Sequence, residues 1–252
     1  MYKNALLQAL IRTVFPYGSI RRVLRGPLRG VKFFIAPSMG LTYILGFDSM
    51  NWKFFRKHLK KGMVVFDIGA NRGQMGLFFS KEVGPTGHVY CFEPMAHLAS
   101  ELKKNLEIND TKNVDTLPYA LSDSNGKATF LFEENHSTQG KLSDVEASYV
   151  TDNASNVEVE TRSLDTLIGD GLTSPKLLKI DVEGAASKVF EGAKELLDQH
   201  PDIYLELHGP EEQQSIGDYL VPRGYKFQDM DGNTIEDPVK NWCSPIWCSV
   251  NI

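Results

Sequence analysis

From Gly62 to the C-terminus, short apolar runs alternate with helical stretches, and run after run ends at a carboxylate or a histidine. That rhythm restricts the fold more than composition does. Met63-Val-Val-Phe-Asp67 is too short for a helix and is bounded by Gly62 and Gly69, which marks a buried strand. A glycine-rich turn follows, then a helix over Gln74–Val83, a break at Gly84-Pro85-Thr86-Gly87 and a second strand over His88–Glu93. Met95–Asn109 repeats Leu98, Leu102 and Leu106 at helical spacing, with Lys103 and Glu107 on the outer face. Val114–Tyr119 reads as the third strand, and Leu177–Asp181 and Asp202–His208 as the fourth and fifth. Helices fall at 185–197 and 211–221, and Tyr225–Asp229 with Ile246–Ile252 closes the chain as an antiparallel pair. This order predicts an α/β fold, a Rossmann-like doubly wound parallel sheet with helices on both faces. A chain of 252 residues holds one such domain plus an extension, and needs neither disulfides nor metal to build its core.

Two regions depart from the rhythm. Residues 123–162 form an insertion: a turn at Asp123–Gly126, strands over Lys127–Glu133 and Val157–Arg162, and a polar stretch at 134–156 long enough for a functional loop. His136 lies in that stretch, where a solvated side chain outweighs a substrate contact. Residues 1–61 form a basic N-terminal extension ahead of the main domain at 62–252. Of the chain's 27 basic groups, seven lie in residues 1–47 beside none of its 32 acidic ones, leaving 20 against 32 and a net charge of −12 over the rest. Three readings stand for this arm. One is a helix at about Asn4–Val14 and a strand pair, packed on the main domain or on a second subunit of a homo-oligomer. The second is peripheral contact with an anionic membrane surface or an anionic substrate. The third is a cleaved organelle-targeting segment.

The overall charge of −5 argues against nucleic acid as the main partner. Cys91, Cys243 and Cys248 are too few for a disulfide framework and have no zinc-finger spacing, which points to a reducing, cytoplasmic compartment. The longest charge-free run, Phe33–Phe47, is interrupted by Pro37, Gly40 and Gly46 and is too short for a bilayer span.

In a doubly wound sheet, ligands bind outside the carboxyl ends of the strands. Those ends here are Asp67-Ile-Gly69-Ala-Asn71-Arg-Gly73, Glu93-Pro94, Ala120-Leu121-Ser-Asp123, Asp181-Val-Glu183-Gly184 and Glu206-Leu-His208-Gly209. Any one of these fits a capping or turn role; five in succession at one edge favour a site. The glycine turn lets backbone approach a ligand at a helix N-terminus. Glu93 lies twenty residues past Gly73, the spacing at which an acidic side chain meets ribose hydroxyls. The turn reads G-x-x-x-G with Asp67 before it, not the dinucleotide G-x-G-x-x-G. A carboxylate there repels a pyrophosphate and attracts a cation, worth on the order of 4 kcal/mol at about 4 Å before desolvation. S-adenosylmethionine, with its ammonium and sulfonium, suits that field, and a nicotinamide dinucleotide does not.

Val65-Phe-Asp-Ile-Gly-Ala-Asn71, Cys91-Phe-Glu-Pro94, Ala120-Leu-Ser-Asp123, Ser163-Leu-Asp-Thr-Leu167 and Leu178-Lys-Ile-Asp-Val-Glu-Gly-Ala185 together resemble the FkbM family of S-adenosylmethionine-dependent methyltransferases. Gly46-Phe-Asp48 and His58-Leu-Lys-Lys-Gly62 resemble that family's lead-in, so the likeness spans roughly residues 40–210. The resemblance implies a mostly parallel seven-stranded sheet and O-methylation of a hydroxyl on a sugar, polyketide or related metabolite. It further implies that Asp67, Gly69 and Asn71 hold the methionine part, Glu93 the ribose, and Ala120-Leu121 the adenine, with Gly73 and Pro94 beside them.

Methyl transfer to oxygen must dispose of one proton. A hydroxyl with acidity near that of water (~15.7) faces a histidine of pKa ~6.5, and prior deprotonation across that gap costs on the order of 12 kcal/mol. The base therefore acts as the C–O bond forms, or a metal acidifies the hydroxyl first. His208 is the expected base, last of Tyr204, Glu206 and His208 on one face of the fifth strand. Asp181 faces the cleft as substrate ligand, second base or metal ligand, and Asp181, Glu206 and His208 form a candidate Mg²⁺ set. Asp229-Met-Asp231-Gly232 lacks calcium-loop spacing and reads as a hairpin turn, while Trp52, Phe54 and Phe55 read as packing residues. The competing function class is a degenerate methyltransferase fold serving as a binding module.

Overall fold

The computed structural model describes residues 13–36, 42–46, 51–132, 140–142 and 155–252. An antiparallel hairpin, β1 (Ile20–Arg22) and β2 (Lys32–Phe34), precedes two short helices, α1 (Thr42–Leu45) and α2 (Trp52–His58). The alternation then runs β3 (Val64–Ile68), α3 (Gln74–Val83), β4 (His88–Phe92), α4 (Ala96–Ile108) and β5 (Val114–Leu117). Next come β6 (Ala120–Leu121), β7 (Gly126–Phe132), β8 (Gly140–Leu142), β9 (Ser155–Arg162) and α5 (Leu164–Gly169). The chain ends with β10 (Leu177–Ile180), α6 (Ala186–Glu191), α7 (Lys194–Leu197), β11 (Asp202–Leu205), α8 (Pro210–Ser215), β12 (Lys226–Gln228) and β13 (Ile246–Ser249).

The main sheet has the order β12-β13-β11-β10-β3-β4-β5, with β13 antiparallel to both its neighbours. From β3 the chain steps outward through β4 and β5, then crosses back to β10 and β11 on the other side. The strand order thus reverses between β3 and β10, the place where a doubly wound sheet forms its ligand crevice beyond the carboxyl ends. One face of the sheet buries Val65, Val89, Leu177 and Tyr204 against Phe78 and Phe79 of α3 and Phe54 and Phe55 of α2. The other buries Phe66, Ile68, Leu178, Ile180, Ile203 and Leu205 against α6, α7 and the segment after α8.

The N-terminal segment has no core of its own among the described residues. Val23, Leu28, Phe33 and Ile35 belong to the same core as α3. Two amide side chains one turn apart on α4 fasten it: Asn109 accepts from Lys32 N at 2.9 Å and donates to Lys32 O, while Asn105 accepts from Phe34 N at 2.8 Å. They satisfy a strand edge as a further strand would. The expected strand pair is present, whereas most of the expected helix at Asn4–Val14 lies outside the described residues.

Several elements differ from expectation for local reasons. Ala120-Leu121 leave the main sheet and pair with β9, in a second sheet of order β6-β9-β7-β8 that also contains both expected insertion strands. The middle of the polar stretch, with His136, falls outside the described residues. The helix expected over 185–197 breaks at Gly192, where a Cβ would lie 2.0 Å from Ser122 O, so the second sheet can approach only a glycine there. The helix expected over 211–221 passes from α into one π-helical and one 3₁₀ turn, ending at Pro222-Arg223-Gly224. Helix α5 is an addition, capped by Ser163 Oγ accepting from Thr166 N. Asp229 accepts from the Asp231 and Asn233 amides and closes a tight turn, as its spacing implied. No described helix is long and apolar enough to cross a membrane.

Candidate active site at the switch point

Strand register assembles a polar row across the buried face of the sheet. Thr116, Cys91, Asp67, Lys179, Tyr204 and Trp247 are successive cross-strand partners on β5, β4, β3, β10, β11 and β13, so their side chains share one face. One step further along, at the strand ends, Gly69, Asp181 and Glu206 continue the row into the crevice.

Lys179 is the centre of this arrangement. Its Nζ donates to Gly69 O and to Asp181 Oδ2, each at 3.1 Å, and lies 3.3 Å from Asp67 Oδ1. The pairing with Asp67 is Coulombic, because Oδ1 forms no hydrogen bond. Lys179 is 3% exposed and Asp67 0%, so both charges are buried. Burial works against the Lys179 ammonium, but Asp181 and Asp67 outweigh it and hold the group above the usual lysine range. Burial likewise raises the Asp67 carboxyl, with Lys179 opposing. Asp67 therefore reaches no ligand on its own; Lys179 neutralises it from behind the turn.

The turn after β3 is tightly packed. A Cβ on Gly69, whose φ is +77°, would lie 2.0 Å from Asp181 O, so backbone of β10 occupies that space. Asn71 is also left-handed, at φ 49°. Glu93, at the end of β4, accepts from Asn71 N at 2.8 Å and Met95 N at 3.0 Å, and burial lifts its carboxyl to about 7. Each of its oxygens keeps a second lone pair for a ribose hydroxyl. Ala120 packs with Met95 and Leu98 immediately beyond Glu93-Pro94, while Leu121 turns into the core on the sheet's other face.

Across the crevice, His208 stands between two carboxylates. Nε2 is 3.1 Å from Asp181 Oδ1, and Nδ1 is 3.3 Å from Glu183 Oε2. Burial lowers the imidazole pKa, but the hydrogen bond to Asp181 and the charge of Glu183 raise it further, to about 9. Burial opposes the Asp181 charge, yet Lys179 and His208 hold that carboxyl well below its usual range. Glu212, on α8, anchors the loops beneath by accepting from His208 N and Ala186 N. The Glu206 carboxylate has no hydrogen bond or ion pair among the described residues, and burial and Asp181 raise its pKa.

The structure thus brings Gly69, Asn71, Asp181, Glu206 and His208 together at the strand ends, with Gly73, Glu93 and Pro94 on the β4 side, while Asp67, expected there, is buried behind the turn against Lys179. It does not assemble the Mg²⁺ set. Asp181 is already committed to Lys179 and His208, and no group of three His, Cys, Asp or Glu among the described residues is placed to hold a metal. Sequence reasoning passed over Lys179 and Glu212. A lone lysine inside Leu177-Leu-Lys-Ile180, two residues before Asp181, was the available signal.

The model of the Methyltransferase FkbM domain matches residues 67–232, about two thirds of the chain. This chain belongs to the FkbM methyltransferase family. The 2-O-methyltransferase NoeI of Sinorhizobium fredii is 31% identical over 159 residues, covering 58% of this chain and 64% of NoeI. Methyltransferase sdnD of Sordaria araneosa is 28% identical over 167 residues, covering 55% of this chain and 63% of its own. The matches thus span just under two thirds of either relative. The crystal structure of Methyltransferase FkbM from Methylobacillus flagellatus KT superimposes with a TM-score of 0.52 at 14% identity, over 82% of this chain and 46% of that one, a likeness of fold. The FkbM match opens at Asp67 and takes in each crevice residue through His208.

Proposed function

We propose that this FkbM-family chain binds S-adenosylmethionine at the switch point and methylates a hydroxyl of a small metabolite, a sugar or polyketide among the candidate classes. One observation carries the reading: Asp181, Glu183 and Glu206 gather around His208 at the ends of β10 and β11, beside a glycine turn that admits backbone contact. That field favours a cationic ligand over a phosphate. The residues fit the cofactor: the Gly69–Asn71 turn would hold the methionine part, Glu93, with a free lone pair on each oxygen, the ribose, and Pro94 and Ala120 the adenine side. Bound there, the cofactor supplies an activated methyl group. NoeI, named a 2-O-methyltransferase, supports oxygen as the acceptor atom.

The protein's own part is orientation and proton handling. In neutral His208, Nε2–H donates to Asp181, and the Nδ1 lone pair takes the acceptor's proton once the incoming hydroxyl displaces Glu183, 3.3 Å away. The resulting imidazolium is stabilised by both carboxylates, the same interactions that raise its pKa. A base near 9 narrows the gap to the hydroxyl by about 2.5 units, or roughly 3 kcal/mol. The cost is that most of the protein carries His208 protonated at neutral pH.

Calorimetric titration of the full chain with S-adenosylhomocysteine tests the reading. Saturable heat is expected; absence of both heat and thermal shift would make the chain a binding module instead. With a labelled methyl donor and a panel of hydroxylated metabolites, His208→Ala is expected to abolish turnover while leaving cofactor affinity intact. Surviving turnover would transfer the proton to Glu206, whose carboxylate has no hydrogen-bond or ion-pair partner among the described residues.

A further inference from the structure

We propose that the outward face of the β1–β2 hairpin docks on an anionic lipid surface. Six large apolar side chains are exposed among the described residues, and four of them, Val14, Tyr17, Ile20 and Leu24, fall within one stretch of eleven residues. They are not loosely held. Val23, between Arg22 and Leu24, is buried, and Phe33 and Ile35 anchor the partner side in the core. Strand alternation then turns Ile20, Arg22 and Leu24 outward together, with Arg22 opposite Lys32. Asn105 and Asn109 fix the hairpin to α4, so the face is presented on a braced platform.

Charge selects the occupant. Residues 1–47 carry seven basic groups and no acidic one, and the remaining chain is strongly negative. An anionic surface repels the acidic remainder of the chain and attracts this basic segment, which favours one orientation. Apolar side chains interleaved with arginines match the boundary between headgroups and acyl chains, where guanidinium heads stay with phosphates while Ile20, Leu24 and Tyr17 enter the interface. A nucleic acid would leave the apolar side chains unused. A two-fold dimer through this face would set one basic arm against the other.

Full-length protein should cosediment with phosphatidylcholine vesicles containing phosphatidylglycerol and not with phosphatidylcholine alone, and the binding should fall with added salt. Each cation removed should weaken partitioning about five-fold, so Arg22→Gln and Arg29→Gln together should weaken it about twenty-five-fold. Leu24→Ser should weaken it at low and high salt alike. All these side chains are exposed, so unchanged melting temperature and S-adenosylhomocysteine titration identify a folded variant. Equal binding to neutral vesicles, no binding to either, or insensitivity to the arginine variants would overturn the proposal. So would a dimer, seen by light scattering, that Leu24→Ser dissociates, or capture of duplex nucleic acid by a protein that ignores vesicles.

Discussion

Replacing Lys179 by methionine separates two roles a buried lysine can have, filling space and neutralising charge. Methionine keeps the length and removes the cation, leaving Asp67 fully buried without its counter-charge. Breaking a buried pair from one side costs about 3–5 kcal/mol, a large part of a typical total of roughly 5–15. For a chain of this size that corresponds to a melting temperature lower by roughly 6–20 °C at pH 8. The deficit should depend on pH. Burial already holds the Asp67 carboxyl above its ordinary 3.8, and loss of Lys179 moves it higher. Between 3.8 and that folded value, the native state keeps a proton that the unfolded chain has released, so stability falls as pH rises, by up to about 1.4 kcal/mol per unit. The variant should therefore approach wild type near pH 5 and fall behind it toward pH 8. Lys179→Met with Asp67→Asn should recover most of the loss, since no unpaired charge remains. Urea and thermal denaturation from pH 5 to 8 read all of this. A single variant within about 2 °C of wild type at pH 8, or a deficit independent of pH, would refute the charge-neutralising role.

Gly69→Ala places a Cβ 2.0 Å from Asp181 O at a left-handed φ, so the ends of β3 and β10 must part. Beyond the strain of about 1–2 kcal/mol, S-adenosylhomocysteine affinity should drop at least ten-fold by calorimetry, and unchanged affinity would detach the turn from the cofactor. With His208 as base, turnover should rise about ten-fold per pH unit from 7 and level off near 9. Glu183→Gln should move that levelling to lower pH, and a wild-type profile flat above pH 7 would exclude His208. His208 also contributes stability that is complete below 6.5 and lost as pH rises through about 9, so wild type should lose more stability across that window than His208→Asn.

What the sequence disclosed followed the reach of each physical signal. Strand and helix positions in the alternating core were legible because burial on both faces leaves apolar runs too short to be anything but strands, as at Val64–Ile68. Glycine was ambiguous: Gly73 begins α3 as expected, but Gly192 ends a helix at a point where a distant carbonyl, Ser122 O, leaves no room for a Cβ. The carboxylates and His208 were legible because each ends its own segment. Lys179's role was not, since its partner Asp67 lies 112 residues away and only cross-strand register brings them together. Glu212 escaped for the same reason, capping Ala186 and His208 from an element that looks like any acidic first turn.

Pairing changes what those carboxylates mean. Taken singly, Asp67 is the nearest negative charge to a ligand on the glycine turn, and the Coulombic case for a cation begins there. With Lys179 beside it, that end of the crevice is close to neutral. On the opposite side His208 lies between Asp181 and Glu183, and Glu206 is held up by burial and by Asp181 against the opposing charges of Lys179 and His208. With Asp67 paired, the carboxylates nearest a ligand are Asp181, Glu183 and Glu206, at the ends of β10 and β11 and not at the end of β3. On the proposed reading, a sulfonium drawn toward that side would approach His208, the proposed proton acceptor. Pairing of Asp67 with Lys179 would then set the electrostatic attraction and that acceptor on the same wall, which an unpaired Asp67 at the end of β3 would not do.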